Sequence, residues 1–205
     1  MKILVTGFDP FGGEKVNPAF EVIKKLENTI GSIEIIKLEV PTAFNASIEK
    51  ACEKIKEINP DAVICIGQAG GRSDITVERV AININDARIA DNLKQQPIDT
   101  LIDEEGKNAY FATIPIKAIV NEIRKEGIPA SVSNTAGTYV CNHLMYGVLN
   151  YIHKNSLNTK AGFIHIPYLT QQVIDKANTP SMSLENMVVA IKTALKTIGK
   201  KENTK

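Results

Sequence analysis

The chain has 205 residues, 43% of them hydrophobic, enough apolar material to bury a core without metal or disulfide support. A formal net charge of +1, 5% aromatic residues and no tryptophan argue against nucleic acid or an anionic membrane surface as a partner. No apolar stretch reaches transmembrane length, and Met1-Lys2 leads directly into Ile3-Leu4-Val5, too short for a secretory signal. Taken from the N-terminus, strand-like runs occupy residues 2–6, 33–40, 62–66, 75–83, 130–133 and 161–166. Helical spacing appears at 44–58, where Ile48, Ala51, Cys52, Ile55 and Ile58 share a face, and at 116–126, which stops at Gly127. It recurs at 142–153, with Leu144, Met145, Val148, Leu149 and Ile152 on one stripe, and at 183–198, between Ser183 as N-cap and Gly199.

Strands alternating with helices predict an α/β fold: one three-layer α/β/α domain over 1–205 around a largely parallel or mixed sheet, with 200–205 as a frayed tail. No linker composition, repeat or low-complexity tract divides it. Residues 91–106 are polar and without regular pattern, which predicts a surface loop, either solvated or placed over a site. In such sheets, sites gather beyond the carboxyl ends of strands.

Three cysteines, Cys52, Cys65 and Cys141, are odd in number and widely spaced, with no C-x-x-C pair and no zinc spacing. Free thiols predict a reducing, cytoplasmic setting. Cys65 lies inside an apolar strand and Cys52 on an apolar helix face, as structural thiols do. Cys141 differs. It ends the run Ser133-Asn134-Thr135-Ala136-Gly137-Thr138-Tyr139-Val140-Cys141, where a small-residue turn delivers it to a helix start and its backbone N–H groups. A thiol so placed can ionise near neutral pH, although a buried structural role is the alternative.

A cysteine nucleophile needs a base, usually histidine, and a third group to orient the imidazole. His143, two residues on, points away from Cys141 on a helix. His153 lies about 18 Å along the same helix at 1.5 Å per residue. His165, near the end of the strand Ala161-Gly162-Phe163-Ile164-His165-Ile166, is the remaining candidate. For the third group, Glu78 interrupts the apolar run Ile75-Thr76-Val77-Glu78, an expensive place for an unpaired carboxylate. It could instead form an ion pair with Arg79 or Arg88, and Asp86 and Asp91 are rivals. Two glycine-rich turns follow strands: Gly7-Phe8-Asp9-Pro10-Phe11-Gly12-Gly13 and Gly67-Gln68-Ala69-Gly70-Gly71-Arg72. Neither is a P-loop or a G-x-G-x-x-G.

These segments, with Asn17-Pro18, Ile75 to Asn83, Asp86-Ala87-Arg88, the Cys141 run and Gly162 to Tyr168, resemble the pyroglutamyl-peptidase I family nearly end to end. The stretches around Glu78 and Cys141 are similar to its two signature patterns. The resemblance implies a cysteine exopeptidase removing N-terminal pyroglutamyl residues from peptides, with Glu78, Cys141 and His165 as its catalytic Glu, Cys and His. It implies a thiolate–imidazolium pair, a thioester intermediate, no metal, no cofactor, and homo-oligomers, dimers or tetramers. Phe8 and Phe11 match positions lining the lactam pocket, and Asn17 and Gln68 match positions near the ring amide. Arg88, with the Cys141 backbone N–H, is expected near the oxyanion. Ala90 departs from the proline common there, and 91–107 diverges. Two other readings are a related Cys-His-Glu amidase or amidotransferase and a non-catalytic small-molecule binding domain.

Overall fold

The computed structural model describes residues 1–200. The strands are β1 (Lys2–Phe8), β2 (Thr29–Ile30), β3 (Ile33–Val40), β4 (Ala62–Gln68), β5 (Ile75–Glu78), β6 (Val80–Ile82), β7 (Ala109–Phe111), β8 (Ala130–Ser133), β9 (Lys160–Ile166), β10 (Tyr168–Leu169) and β11 (Ser181–Met182). The helices are α1 (Pro18–Lys25), α2 (Ala46–Ile58), α3 (Ile116–Lys125), α4 (Val140–Lys154) and α5 (Leu184–Gly199). Seven strands form the central sheet in the order β2-β3-β1-β4-β9-β5-β8, mostly parallel, with β5 antiparallel to β9 and β2 antiparallel to β3. Ala62-Val63-Ile64-Cys65-Ile66 is buried throughout, as a parallel central strand covered on both faces requires.

Two apolar layers flank the sheet. One joins α1, α3 and α5 to Ile3, Val5, Ile64 and Ile164; the other joins α2 and α4 to Leu4, Val63, Cys65 and Phe163. The expected three-layer α/β/α architecture is thus present, and the four predicted helices lie within two residues of their expected bounds. The expected strand at 75–83 is broken: β5 belongs to the central sheet, whereas β6 leaves it and pairs antiparallel with β7. Helix α1 was not expected from spacing. Asn17 caps it, its Oδ1 accepting from Ala19 N at 3.0 Å, and Pro18 supplies a preset φ at the first turn. Most of the expected tail, 201–205, lies outside the described residues. No helix among the described residues is long and apolar enough to cross a membrane.

Candidate active site

Tyr139 precedes α4, so Cys141 is the second residue of the helix, and Gly137 at φ +77° makes the turn that leads in. Gly67 at the end of β4 lets the helix come close: a Cβ there would lie 3.0 Å from Cys141 Sγ and 2.7 Å from the Phe163 ring. Gly67 is also the register partner of His165 on β9. Phe163 and His165 are two apart on that strand, share its face, and have ring centroids 4.7 Å apart. Close approach at Gly67 therefore brings α4 and Cys141 onto the sheet face that carries His165.

On the other side of β9, Thr76 of β5 is in register with His165, and Glu78 lies two residues further on the same face. His165 Nδ1 is 2.7 Å from Glu78 Oε1. Arg72 Nη1 donates to the same oxygen at 2.7 Å and to Thr76 Oγ1 at 2.5 Å. Glu78 is 0% exposed. Burial pushes its carboxyl up, but the hydrogen bond and charge of His165, the Ser133 hydroxyl and Arg72 together outweigh it and hold the carboxyl below its ordinary value. Ser133 nonetheless donates its hydroxyl to Thr135 O at 3.0 Å, and Glu78 Oε2 has no hydrogen-bond partner among the described residues. The ion pair anticipated for Glu78 with Arg79 or Arg88 does not form: Arg79 donates to Asn134 Oδ1, and Arg72 takes its place. Asp86 and Asp91, the other candidate orienting groups, make no hydrogen bond to His165: Asp91 holds the backbone N–H groups of Phe44, Leu93 and Gln95, and Asp86 lines the cavity that opens at Cys141.

An ionised carboxylate can only accept, so the imidazole must carry its proton on Nδ1 and leave Nε2 with a lone pair. Burial lowers the His165 pKa; the Glu78 bond and charge oppose this without reversing it. Burial likewise pushes the Cys141 thiol up to about 12, with Glu78 adding to the rise and Arg72 opposing it. The expected thiol ionised near neutral pH is thus not what these surroundings favour. Desolvation and a nearby carboxylate outweigh Arg72 in raising the thiol, and burial lowers the imidazole.

His143 is 1% exposed, its Nε2 accepting from Asn45 N at 2.8 Å and its Nδ1 2.8 Å from Asn85 Oδ1. Burial lowers its pKa to about 4, and both nitrogens have structural partners. His153 stacks near Tyr110 at 5.5 Å between centroids. His165 is the imidazole on the sheet face that α4 and Cys141 approach at Gly67.

A cavity of about 610 Å³ opens at Cys141, lined by Phe8, Phe11, Asn17, Gln68 and Arg88 among others. All five expected pocket residues therefore meet at one site. Phe8 is buried against Phe163, and Phe11 lies 5.5 Å from the Tyr139 ring. Arg88 is exposed and makes no ion pair or hydrogen bond among the described residues. Asn17 also ties its loop down, Nδ2 donating to Asp9 O at 2.9 Å. Arg72, Glu14, Tyr139 and Tyr168 were not singled out from sequence. For Arg72 a signal existed, a lone cation closing a glycine turn just before the interrupted strand. No group of three or more His, Cys, Asp or Glu among the described residues is placed to hold a metal ion.

A cysteine at a helix start, an imidazole at a strand end and a buried carboxylate behind it have the layout of a cysteine hydrolase. Comparison with known proteins narrows the class. A family profile described as pyroglutamyl peptidase matches residues 1–201. Pyrrolidone-carboxylate peptidase 1 of Caldanaerobacter subterraneus subsp. tengcongensis is 73% identical, over 98% of each chain. Pyroglutamyl peptidase I from Bacillus amyloliquefaciens superposes with a TM-score of 0.95 at 50% identity, over 98% of this chain and 96% of that one. A mutant pyrrolidone carboxyl peptidase from Pyrococcus furiosus gives 0.92 at 42% identity, covering 97% and 98%. The chain belongs to the pyroglutamyl peptidase family.

Proposed function

We propose that this protein is a cysteine exopeptidase that hydrolyses the bond after an N-terminal pyroglutamyl residue, with Cys141 as nucleophile, His165 as base and Glu78 as the group that orients the imidazole. The observation that carries the reading is the His165–Glu78 pair at 2.7 Å, set one strand from the Gly67 opening that admits Cys141. The neutral thiol gives its proton to His165 Nε2 as sulfur attacks the carbonyl, and Glu78 stabilises the imidazolium that forms. Charge developing on the carbonyl oxygen meets the Cys141 backbone N–H at the start of α4 and the exposed guanidinium of Arg88. His165 then protonates the departing amine, and water, activated by the same imidazole, releases pyroglutamate from the thioester.

Phe8 and Phe11 suit the faces of a neutral lactam ring, and Gln68 and Asn17 suit its amide. The chain is taken as one peptidase domain over 1–205, acting as a homo-oligomer in the cytoplasm, the compartment in which its free Cys52, Cys65 and Cys141 stay reduced. Cys141→Ser should abolish release of a fluorogenic amine from a pyroglutamyl amide by at least about 10³-fold, while Cys52→Ser and Cys65→Ser retain it. Prolyl and glutaminyl amides should be left uncut; wild-type turnover by Cys141→Ser, or equal cleavage of glutaminyl amide, would overturn the assignment.

A further inference from the structure

The two ends of a glutamine amide have nearly the same shape, so a Gln lining a cavity can present either an oxygen or an N–H unless something fixes it. Gln68 is fixed by a relay behind the cavity wall. The backbone N–H of Leu169, which can only donate, reaches Gln172 Oε1 at 2.9 Å. That places the Gln172 NH2 at the opposite end, where it donates to Gln68 Oε1 at 2.9 Å. The same NH2 lies 3.4 Å from Glu14 Oε2, and Lys176, hydrogen-bonded to the other Glu14 oxygen, helps to keep that carboxyl ionised. A donor at one end and an acceptor at the other thus demand the same orientation of Gln172, which is nine-tenths buried and lines no part of the cavity.

We propose that Gln172 is a specificity-determining positioning residue: it holds the Gln68 oxygen out of the cavity, so that Gln68 offers only N–H to the ligand. The lactam carbonyl is the acceptor that this N–H fits. Asn17 matches this polarity, because its Oδ1 accepts from Ala19 N and, with one Nδ2 hydrogen given to Asp9 O, the second N–H is what it retains. A free α-ammonium carries N–H donors and no acceptor. It would meet donors of the same sign after losing its water, so the relay selects a lactam and rejects an unblocked N-terminus by polarity.

The inference rests on the peptidase reading above, and kinetics on the full-length enzyme separate the two. Gln172→Glu preserves the acceptor for Leu169 but puts a carboxylate oxygen opposite Gln68, whose amide must then turn its oxygen to the cavity. At pH 8 the KM for a pyroglutamyl amide should rise about tenfold or more, the size of one hydrogen bond lost and replaced by a like dipole, with kcat within about twofold. At pH 5.5 the introduced carboxyl is increasingly protonated, helped by the adjacent Glu14 and opposed by Lys176. Its O–H again donates to Gln68, and the variant-to-wild-type KM ratio should fall. Expressing KM as that ratio removes the titration of His165 and Glu78, common to both proteins. Gln172→Met, which leaves Gln68 unanchored, should raise KM without the pH dependence, and it serves if the first variant does not fold. A Gln172→Glu ratio near one at pH 8, a ratio equally raised at both pH values, or an unchanged KM in Gln172→Met overturns the proposal. A wild-type enzyme that leaves the pyroglutamyl amide uncut sinks the peptidase reading first, and this inference with it.

Discussion

Two donors meet on one oxygen of Glu78, the Nδ1–H of His165 and the guanidinium of Arg72. Arg72 lowers the Glu78, Cys141 and His165 pKa values alike. Replacing it with glutamine should therefore raise all three. Whether His165 or Glu78 sets the acidic limb of kcat/KM, that limb moves to higher pH, because the base is protonated or the orienting carboxylate neutralised further up the scale. Arg72→Gln should lower kcat/KM at pH 7 by roughly 10–100-fold, less than the 10²–10⁴ a general base contributes. A pH profile with an unmoved acidic limb would show that Arg72 merely holds its loop. At this scale spacing alone set His143 and His153 aside and left His165 as the candidate base, and the resemblance supplied the rest of the proposed triad. The partner of Glu78 was not legible in sequence. Arg79 and Arg88 are near it in sequence, but alternation sends Arg79 to the opposite face, and a turn at Gly70-Gly71 returns Arg72.

Among the elements, the apolar strands and the long amphipathic helices were legible because their periodicities differ so plainly. Two were not, and each has a local cause. The run 75–83 reads as one β-rich stretch with no glycine or proline to divide it, yet β6 leaves the sheet at Arg79, where Ala112 N donates to Arg79 O and draws the chain toward β7. That partner lies some 30 positions away, and no local pattern announces it. Helix α1 has only eight residues, too few for a convincing stripe, though Asn17-Pro18 is a cap and first-turn signal. The Asn17 cap and the pocket role proposed for the same side chain can be told apart. Asn17→Ala should lower stability by about 1 kcal/mol through loss of the cap and should also raise KM. Asn17→Ser restores an acceptor for the helix N-terminus but not the amide N–H. Its thermal midpoint should recover toward wild type while KM stays high. Recovery of both would reduce Asn17 to a cap.

Across the whole molecule, exposed large apolar side chains are unevenly spread. Six of the nine among the described residues, Ile82, Ile89, Leu93, Ile98, Leu101 and Phe111, fall between positions 82 and 111, and Phe111 is 68% exposed. Residues 91–106 of that stretch were read from sequence as a surface loop, either solvated or placed over a site; the whole stretch comprises the end of β6, β7 and the long excursion joining them. It does bear on the cavity, since Arg88 and Ile89 line it and Tyr139 Oη donates to Ala90 O at 3.1 Å. Apolar residues concentrated on one excursion support an interface with a second copy rather than scattered surface exposure. Wild-type protein should therefore sediment at a multiple of its 22.4 kDa chain mass. Phe111→Lys, which places a charge where an apolar contact is expected, should shift the mass toward the single chain. Because the same excursion carries Arg88 and Ile89 to the cavity, the dissociated variant should show a raised KM with the thermal midpoint of an intact core. Wild-type sedimentation at 22.4 kDa at micromolar concentration would remove the homo-oligomer and leave residues 82–111 as exposed surface belonging to the cavity alone.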